Sequence, residues 1–291
     1  MTDAIETHVT TAPLSVSSAC RTLDIARSTF YRYRDYDPFV DTNVDLRDRV
    51  QQVALEWPSY GYRRITHELL RRGVDVGLKT VLRLMREDNL LCLRKQRFRI
   101  ATTDSDHGLP IYRNMAKDMV ITGCDQLWVA DITYIRLGSE FIYLAMVMDA
   151  YSRRIVGWSI SRRIDTRLTL DALEMALQTR PFKPGQLVHH SDRGSQYASS
   201  EYIKTLVDNG IAISMSRKGI PQDNAYAESF MKTLKYEEVY MTEYANIAEA
   251  RHQIAHFVEE VYNKKRLHSA IGYLPPTEFE SVGYNKEKVT P

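Results

Sequence analysis

Cysteine is scarce in this sequence, with three in 291 residues, and its placement excludes more than its rarity does. Cys20, Cys92 and Cys124 are an odd number, widely spaced, with no Cys-x-x-Cys pair. That rules out a disulfide framework and a cysteine-based zinc finger, and leaves three reduced, mostly buried thiols. Histidine does not fill the gap. His252 and His256 lie four apart on a predicted helix, but neither a third ligand nor a His-Glu-x-x-His glutamate accompanies them. No apolar run approaches the roughly 20 residues that span a bilayer. The start, Met-Thr-Asp-Ala-Ile-Glu-Thr-His, has neither the basic opening nor the apolar stretch of a signal peptide, so the expected location is the cytoplasm. Internal repeats and low-complexity tracts are absent. Surplus charge is small, +2 overall, and by itself gives no reason to expect a polyanionic partner.

The charge is unevenly placed, however. Between Tyr60 and Ile100 eleven basic residues face four acidic ones, a basic stretch on an otherwise balanced chain. With 44% hydrophobic and 26% charged residues the rest reads as ordinary globular protein, long enough for one large domain or two to three smaller ones. After a leader of 13 residues, Val16, Ala19, Cys20 and Leu23 space as one helical face. Ile25 lies in a short turn, and Ser28 is placed to cap a second helix carrying Phe30 and Tyr31. This is a short helix-turn-helix, with Arg27, Ser28, Thr29 and Arg32 at the start of its candidate recognition helix. Three further helices are expected over 44–56, 62–72 and 78–89, the middle one closed by Gly73. Arg63, Arg64, Lys79 and Arg83 on the last two are candidate DNA contacts; phosphate contact by them would be blind to sequence.

From Gln126 the pattern changes. Strands are expected at 127–135, 140–149 and 154–161, then a helix at 166–179, a strand at 187–190, a helix at 199–209 and a strand at 211–215. Helices at 223–238 and 247–262 follow. Three meandering strands and then alternating helix and strand indicate a mixed sheet with helices packed on it. The division read from this is a leader with a short helix-turn-helix (1–40), a second helical DNA-binding domain (41–92), a basic linker (93–120) and a catalytic core (121–285).

Three acids stand out. Asp131 interrupts the apolar run Leu-Trp-Val-Ala-Asp-Ile-Thr-Tyr-Ile, Asp192 follows Leu-Val-His-His-Ser, and Glu228 comes 35 residues beyond it in Asp-Asn-Ala-Tyr-Ala-Glu-Ser-Phe. A carboxylate in an apolar strand is costly to bury without a partner, and a hard divalent cation shared by converging acids is one such partner. Asp223 and Asn224 are placed to cap the Glu228 helix. His190 could serve as a ligand or as a packed strand-end residue, and Asp149 reads as structural.

This Asp, Asp, 35-residue gap, Glu pattern resembles the retroviral-integrase superfamily of polynucleotidyl transferases. Asp149-Ala-Tyr-Ser-Arg-Arg-Ile-Val-Gly-Trp158, His190-Ser-Asp-Arg-Gly-Ser-Gln-Tyr197, Ser216-Arg-Lys-Gly-Ile-Pro-Gln-Asp-Asn-Ala-Tyr-Ala-Glu228 and Tyr262-Asn-Lys-Lys-Arg-Leu-His-Ser269 narrow it to the OrfB-type transposases of bacterial insertion sequences. The resemblance covers roughly residues 15 to 280 and implies an α/β ribonuclease-H-like core, a mixed five-stranded sheet with helices, preceded by all-α helix-turn-helix domains. It implies that Asp131, Asp192 and Glu228 hold two Mg²⁺ ions, with Mn²⁺ able to substitute, for cleavage and transfer of DNA strands. It also implies a homo-oligomer on the element ends and target duplex, in the bacterial nucleoid.

The family has a base where this chain has Lys235. Seven residues past Glu228 it returns to the same helix face about 10.5 Å further on, suited to a terminal phosphate. Asn224 is a second candidate near the DNA, to orient a bound water, and Tyr262, Asn263, Arg266 and His268 serve either the DNA face or helix-to-loop packing. Many members are fused through a frameshift to an upstream helix-turn-helix and leucine-zipper segment; this chain starts at its own Met without a heptad run, so an upstream partner is an open expectation. The rival classes are a DNA-binding regulator with an inactive nuclease domain, a nuclease that only cuts, and a phage or viral integrase. The missing His/Cys zinc cluster weighs against the last.

Overall fold

Alternation along one strand organises the larger part of this protein. In the computed structural model, which describes residues 15–34, 43–92, 108–138, 140–218 and 220–289, β1 (Leu127–Leu137) sits at the centre of a five-stranded sheet. Its neighbours are β2 (Glu140–Asp149), β3 (Ile155–Ser161), β4 (Val188–Ser191) and β5 (Ala212–Met215), in the order β3-β2-β1-β4-β5. β2 and β3 run as an antiparallel meander from β1, while β4 lies parallel to β1 and β5 parallel to β4. This is the ribonuclease-H-like order expected.

Successive strand residues point to opposite faces. Leu127, Val129, Ile135 and Leu137 therefore bury on one side, against Ala227, Phe230, Met231 and Leu234. Trp128 and Ala130 bury on the other, with Leu173, Ala176, Tyr202 and Leu206. The first set of partners belongs to α8 (Ala225–Leu234), and the second to α6 (Thr166–Thr179) and α7 (Ser200–Asp208). Asp131 is odd-numbered and so shares the face that α8 covers. On the far side α6 touches β3 backbone to backbone: a Cβ on Gly157 would lie 2.1 Å from the Ala172 carbonyl oxygen.

Ahead of the core stand α1 (Val16–Thr22), α2 (Arg27–Arg34), α3 (Val44–Glu56), α4 (Tyr62–Arg71) and α5 (Leu78–Glu87). The chain divides into two compact units, with the boundary between Arg49 and Val50. In the first, Ser15 caps α1 through the Ser18 amide at 3.2 Å, and Ala19, Cys20 and Phe30 form a small core. α2 begins at Arg27, its first turn closed on the Ala26 carbonyl, so Ser28 lies inside the helix and does not cap it as expected. In the second unit α4 and α5 bury Ile65, Leu69, Val81, Leu84 and Met85, and Gly73 closes α4 at φ +78°.

The chain beyond α8 continues through a π turn (Lys235–Val239), α9 (Ile247–His256), a second π turn (Phe257–Tyr262) and α10 (Pro276–Val289). The two long helices expected from the sequence are thus each present as one helical run, which widens from α to π geometry in its second part. The Tyr262-to-His268 segment packs rather than lining a DNA face. Asn263 pairs its side-chain amide with both the N–H and C=O of Ile155 at 3.0 Å, and Arg266 forms a bidentate buried ion pair with Glu237 at 2.7 Å. α4 is bolted to the same segment. The Leu267 N–H donates to the Tyr60 hydroxyl at 2.8 Å, Arg64 Nε donates to the Leu267 carbonyl at 3.1 Å, His67 stacks on Tyr273 at 3.6 Å, and Arg71 grips Glu278 with two bonds.

Candidate active site

The strand and the helix that carry two of the three acids are tied together by one side chain. Asn224 Nδ2 donates to the Ala130 carbonyl at 2.9 Å, directly before Asp131 and four residues before Glu228. Asn224 does not cap α8 as expected; its side chain makes no bond to the helix's free amides. Nor does Asp223, whose carboxylate is taken by Arg217 (2.8 and 2.9 Å, with a further 2.9 Å bond from its backbone N–H) and by Asn114 at 2.9 Å. These four bonds hold Asp223 well below the usual carboxylate range, the Arg217 side chain contributing most. They close the loop leading into α8 and attach it to the segment before the core. Arg153, at φ +66° in the β2–β3 turn, stands 4.0 Å over the Tyr226 ring and fixes the first turn of α8.

Asp192 follows the end of β4, the side on which open α/β sheets place ligands. Its Oδ1 accepts from the Gly194 N–H at 2.9 Å, and a Cβ on Gly194 would press on that oxygen at 3.0 Å and on the Gln196 Oε1 at 2.8 Å. His190 bonds both ring nitrogens to serines, Ser214 at 2.8 Å and Ser216 at 3.0 Å, which settles it as a packed residue joining β4 to β5. Burial pushes its pKa down.

Asp131, Asp192 and Glu228 converge. Asp131 is half-buried, and its carboxyl is pushed up to about 8, first by desolvation and then by the charges of Asp192 and Glu228. The Ile132 N–H at 2.9 Å and the Lys235 ammonium oppose that rise. Lys235 rests 4.1 Å over the Tyr134 ring, and its own pKa is lowered by burial. Three mutually repelling carboxylates make a hard oxygen donor set that a divalent cation relieves. A second observation fits the same group: Asn224 is 6% exposed and its Oδ1 has no partner among the described residues, leaving an acceptor beside Asp131 for an aqua ligand. Residues and cation fit each other.

Another grouping fits less well. Ligand atoms of Cys124, Asp149 and Glu280 lie within 4.8 Å of one another. Asp149 already accepts from the amides of Asp125, Tyr151 and Ser152 and from the Ser152 hydroxyl, while Glu280 takes Arg154 and Arg180, so this is a structural knot, in keeping with the reading of Asp149.

The remaining sequence candidates scatter. Arg63, Lys79 and Arg83 are exposed, Arg83 paired with Glu87 at 3.0 Å; Arg27 and Ser28 are exposed and Thr29 half-buried in the other unit. Arg64, read as a DNA contact, is spent on Leu267 and on the face of Tyr60. The Arg32 side chain, the leader and the bases Arg94, Lys95, Arg97 and Arg99 lie outside the described residues. Among the described residues no helix is long and apolar enough to cross a membrane. The sequence reading missed Tyr134, because nothing local marks a strand tyrosine that meets a lysine 101 positions later.

A mixed sheet with three acids at the junction of β1, β4 and a crossing helix defines a class, the DDE-type polynucleotidyl transferases. Residues 122–221 and 209–276 match the integrase core domain family, and residues 42–98 match an HTH-like domain family. The chain is 38% identical over 266 residues to the insertion element IS600 uncharacterized 31 kDa protein of Shigella sonnei, covering 89% of this chain and 96% of that one. It is 35% identical over 283 residues to transposase InsF for insertion sequence IS3A of Escherichia coli strain K12, covering 95% and 97%. The solved catalytic core domain of BIV integrase aligns with TM-score 0.40 and 17% identity, over 56% of this chain and 99% of that one. The chain belongs to the insertion-sequence transposases, with an integrase core and DNA binding through its HTH-like domain.

Proposed function

We propose that this chain binds the terminal inverted repeats of a bacterial insertion sequence, cuts the strand there and joins the freed 3′ end to another strand. Asp131, Asp192 and Glu228 are the catalytic residues of that reading, and their convergence, with Asp131 pushed up by desolvation and then by the charges of the other two, is the observation that carries it. They would hold two Mg²⁺ ions, which supply activation of the attacking oxygen and stabilisation of the leaving oxygen at phosphorus.

The chain's own residues do the rest. Asn224 sets the distance between the β1 acid and the α8 acid, and Gly194 lets the backbone close on the Asp192 carboxylate. Lys235 receives a phosphate of the terminal strand, while Arg63, Lys79 and Arg83 on the HTH-like helices hold the duplex. Water attacks first, forming one O–P bond as the strand's own O–P bond breaks and a 3′-hydroxyl leaves. That hydroxyl then attacks a second phosphodiester; one ester bond forms as one breaks, so joining needs no nucleotide cofactor. Holding two ends for that step calls for more than one copy of the chain on DNA.

The test is nicking and joining of a labelled duplex taken from the DNA flanking the gene, with Mg²⁺ or Mn²⁺. The unsubstituted chain joins and Glu228→Gln does not. Binding without cutting by either would favour a regulator with an inactive core.

A further inference from the structure

Two consecutive helical runs widen to π geometry, and one ion pair joins them at the widened turns. In the first, the Tyr240 N–H donates to the Lys235 carbonyl, five residues back, at 2.9 Å. In the second, the Asn263 N–H donates to the Val258 carbonyl at 3.0 Å and the Arg266 N–H to the Val261 carbonyl at 2.8 Å, again five back. Turns of this kind are rare and frequently mark functional sites. Glu237 lies inside the first turn and Arg266 closes the second. Their side chains meet in two bonds of 2.7 Å, with Arg266 4% and Glu237 10% exposed.

The pair stands midway along a route of bonds. On one side the HTH-like domain holds the next residue, Leu267, by both backbone groups: its N–H donates to the Tyr60 hydroxyl at 2.8 Å, and its carbonyl accepts from Arg64 at 3.1 Å. On the other side Glu237 lies two residues past Lys235 and nine past Glu228, on the run that begins as α8. The route therefore leads from α4, through Leu267, Arg266 and Glu237, to the helix of the third acid. A surface link between α4 and α10 is softer: Arg71 and Glu278 are each 39% exposed, where water screens an ion pair to little.

Burial indicates what the pair does. Desolvation roughly offsets the attraction of two buried charges, and an apolar pair of similar volume holds a fold as well or better. An apolar pair lacks direction, whereas two N–H···O bonds fix the guanidinium plane against the carboxylate, and with it one helical run against the other. We propose that Arg266 and Glu237 are positioning residues that set the reach from the DNA-holding helices to the acid cluster, and thereby which phosphate of a bound element end is cut. This rests on the strand-cleavage reading above.

The discriminating variant combines Arg266→Met with Glu237→Leu, which removes both charges together and keeps apolar bulk in their place. It is expected to melt no lower than the unsubstituted chain and to occupy the repeat equally. Cutting at the original phosphate should fall on the order of 100-fold, the effect of a misplacement of about 1 Å, with new cuts at neighbouring phosphates. Tyr60→Phe removes only the hydroxyl that holds Leu267 and should scatter the cuts in the same way. Adding it to the double variant should scatter them no further, since both act on one route. A loss of stability alone would lower all cutting without moving it. A second readout needs no hydrolysis: Fe²⁺ in the acid cluster, given peroxide, yields hydroxyl radicals that break bound DNA nearest that cluster. The unsubstituted chain should give a narrow band and both variants a broad one. An unmoved cut and a narrow Fe²⁺ band in the double variant, or in Tyr60→Phe should the double variant not fold, would overturn the proposal. Absence of Mg²⁺-dependent cutting by the unsubstituted chain would instead strike the strand-cleavage reading and leave the Fe²⁺ band to decide the alignment.

Discussion

Asn224 Nδ2 donates to the carbonyl oxygen of Ala130 at 2.9 Å, across 94 positions of sequence. The bond joins the residue before the first acid to the helix start before the third, and with the packing of α8 on β1 it sets the spacing of Asp131 and Glu228. Asn224→Ala should lower cutting by about 10- to 100-fold, the usual effect of removing a residue that orients metal ligands. Raising Mg²⁺ or Mn²⁺ should recover part of the loss. A variant that loses thermal stability but keeps full rate at low metal would show the bond to be structural alone.

Without a divalent cation the acid cluster is a stored repulsion. Asp131→Asn removes a carboxyl whose ionisation desolvation and the neighbouring acids oppose, so the metal-free variant should melt above the unsubstituted chain, by about 2–4 °C per kcal/mol released. Adding Mg²⁺ should raise the melting temperature of the unsubstituted chain, by roughly 2.7 kcal/mol of stability at a hundredfold excess over Kd, and leave the variant almost unmoved. Differential scanning calorimetry with and without EDTA decides it.

His189 contributes an acid limb to stability. It is buried against the Tyr202 hydroxyl (3.0 Å), the Tyr197 ring and His190, and burial holds its pKa down to about 3. The unfolded chain takes up a proton below about 6.5 while the folded chain does not, so stability falls as pH drops from there toward 3. At pH 5 the loss from this group is on the order of 2 kcal/mol. His189→Gln should narrow the stability gap between pH 7.5 and pH 5 by that amount in urea titrations; an unchanged gap would refute it.

Arg63 and Arg64 are neighbours with opposite expectations. Arg64 is bonded to Leu267, so Arg64→Ala should lower the melting temperature and loosen α4 from the core, seen as faster proteolysis between them. Arg63 is exposed, so Arg63→Ala should leave stability within about 0.5 kcal/mol. It should weaken DNA binding and reduce the salt slope by about 1. Calorimetry and binding at two salt concentrations separate the pair.

Packing at Gly157 leaves no room for a methyl group. Its Cβ would meet the Ala172 carbonyl oxygen at 2.1 Å and the Ala176 nitrogen at 2.8 Å, both backbone atoms that cannot rotate away. Gly157→Ala should cost about 3 kcal/mol or more, by forcing α6 off β3, and Gly194→Ala far less in stability but more in cutting. Chemical denaturation and the joining assay run on both variants check this.

The sequence by itself determined the sheet, the helices and the acids. Strand alternation is a period-two property of neighbouring residues, and an aspartate within an apolar run is conspicuous because burial of its charge is costly. The Asp192-to-Glu228 spacing and the long motifs around it carried the family with them. Only the tertiary structure decided which polar residues hold the fold. Arg64, Asn263 and Arg266 have the motif placement of contact residues, yet each finds its partner far along the chain, where no local pattern reaches. Ser28 has the residue type of a cap, but the Thr29 and Phe30 amides close on the Ala26 carbonyl, which places Ser28 inside α2. Capping is a short-range preference worth about 1 kcal/mol, and residue type alone does not say at which position the first turn closes.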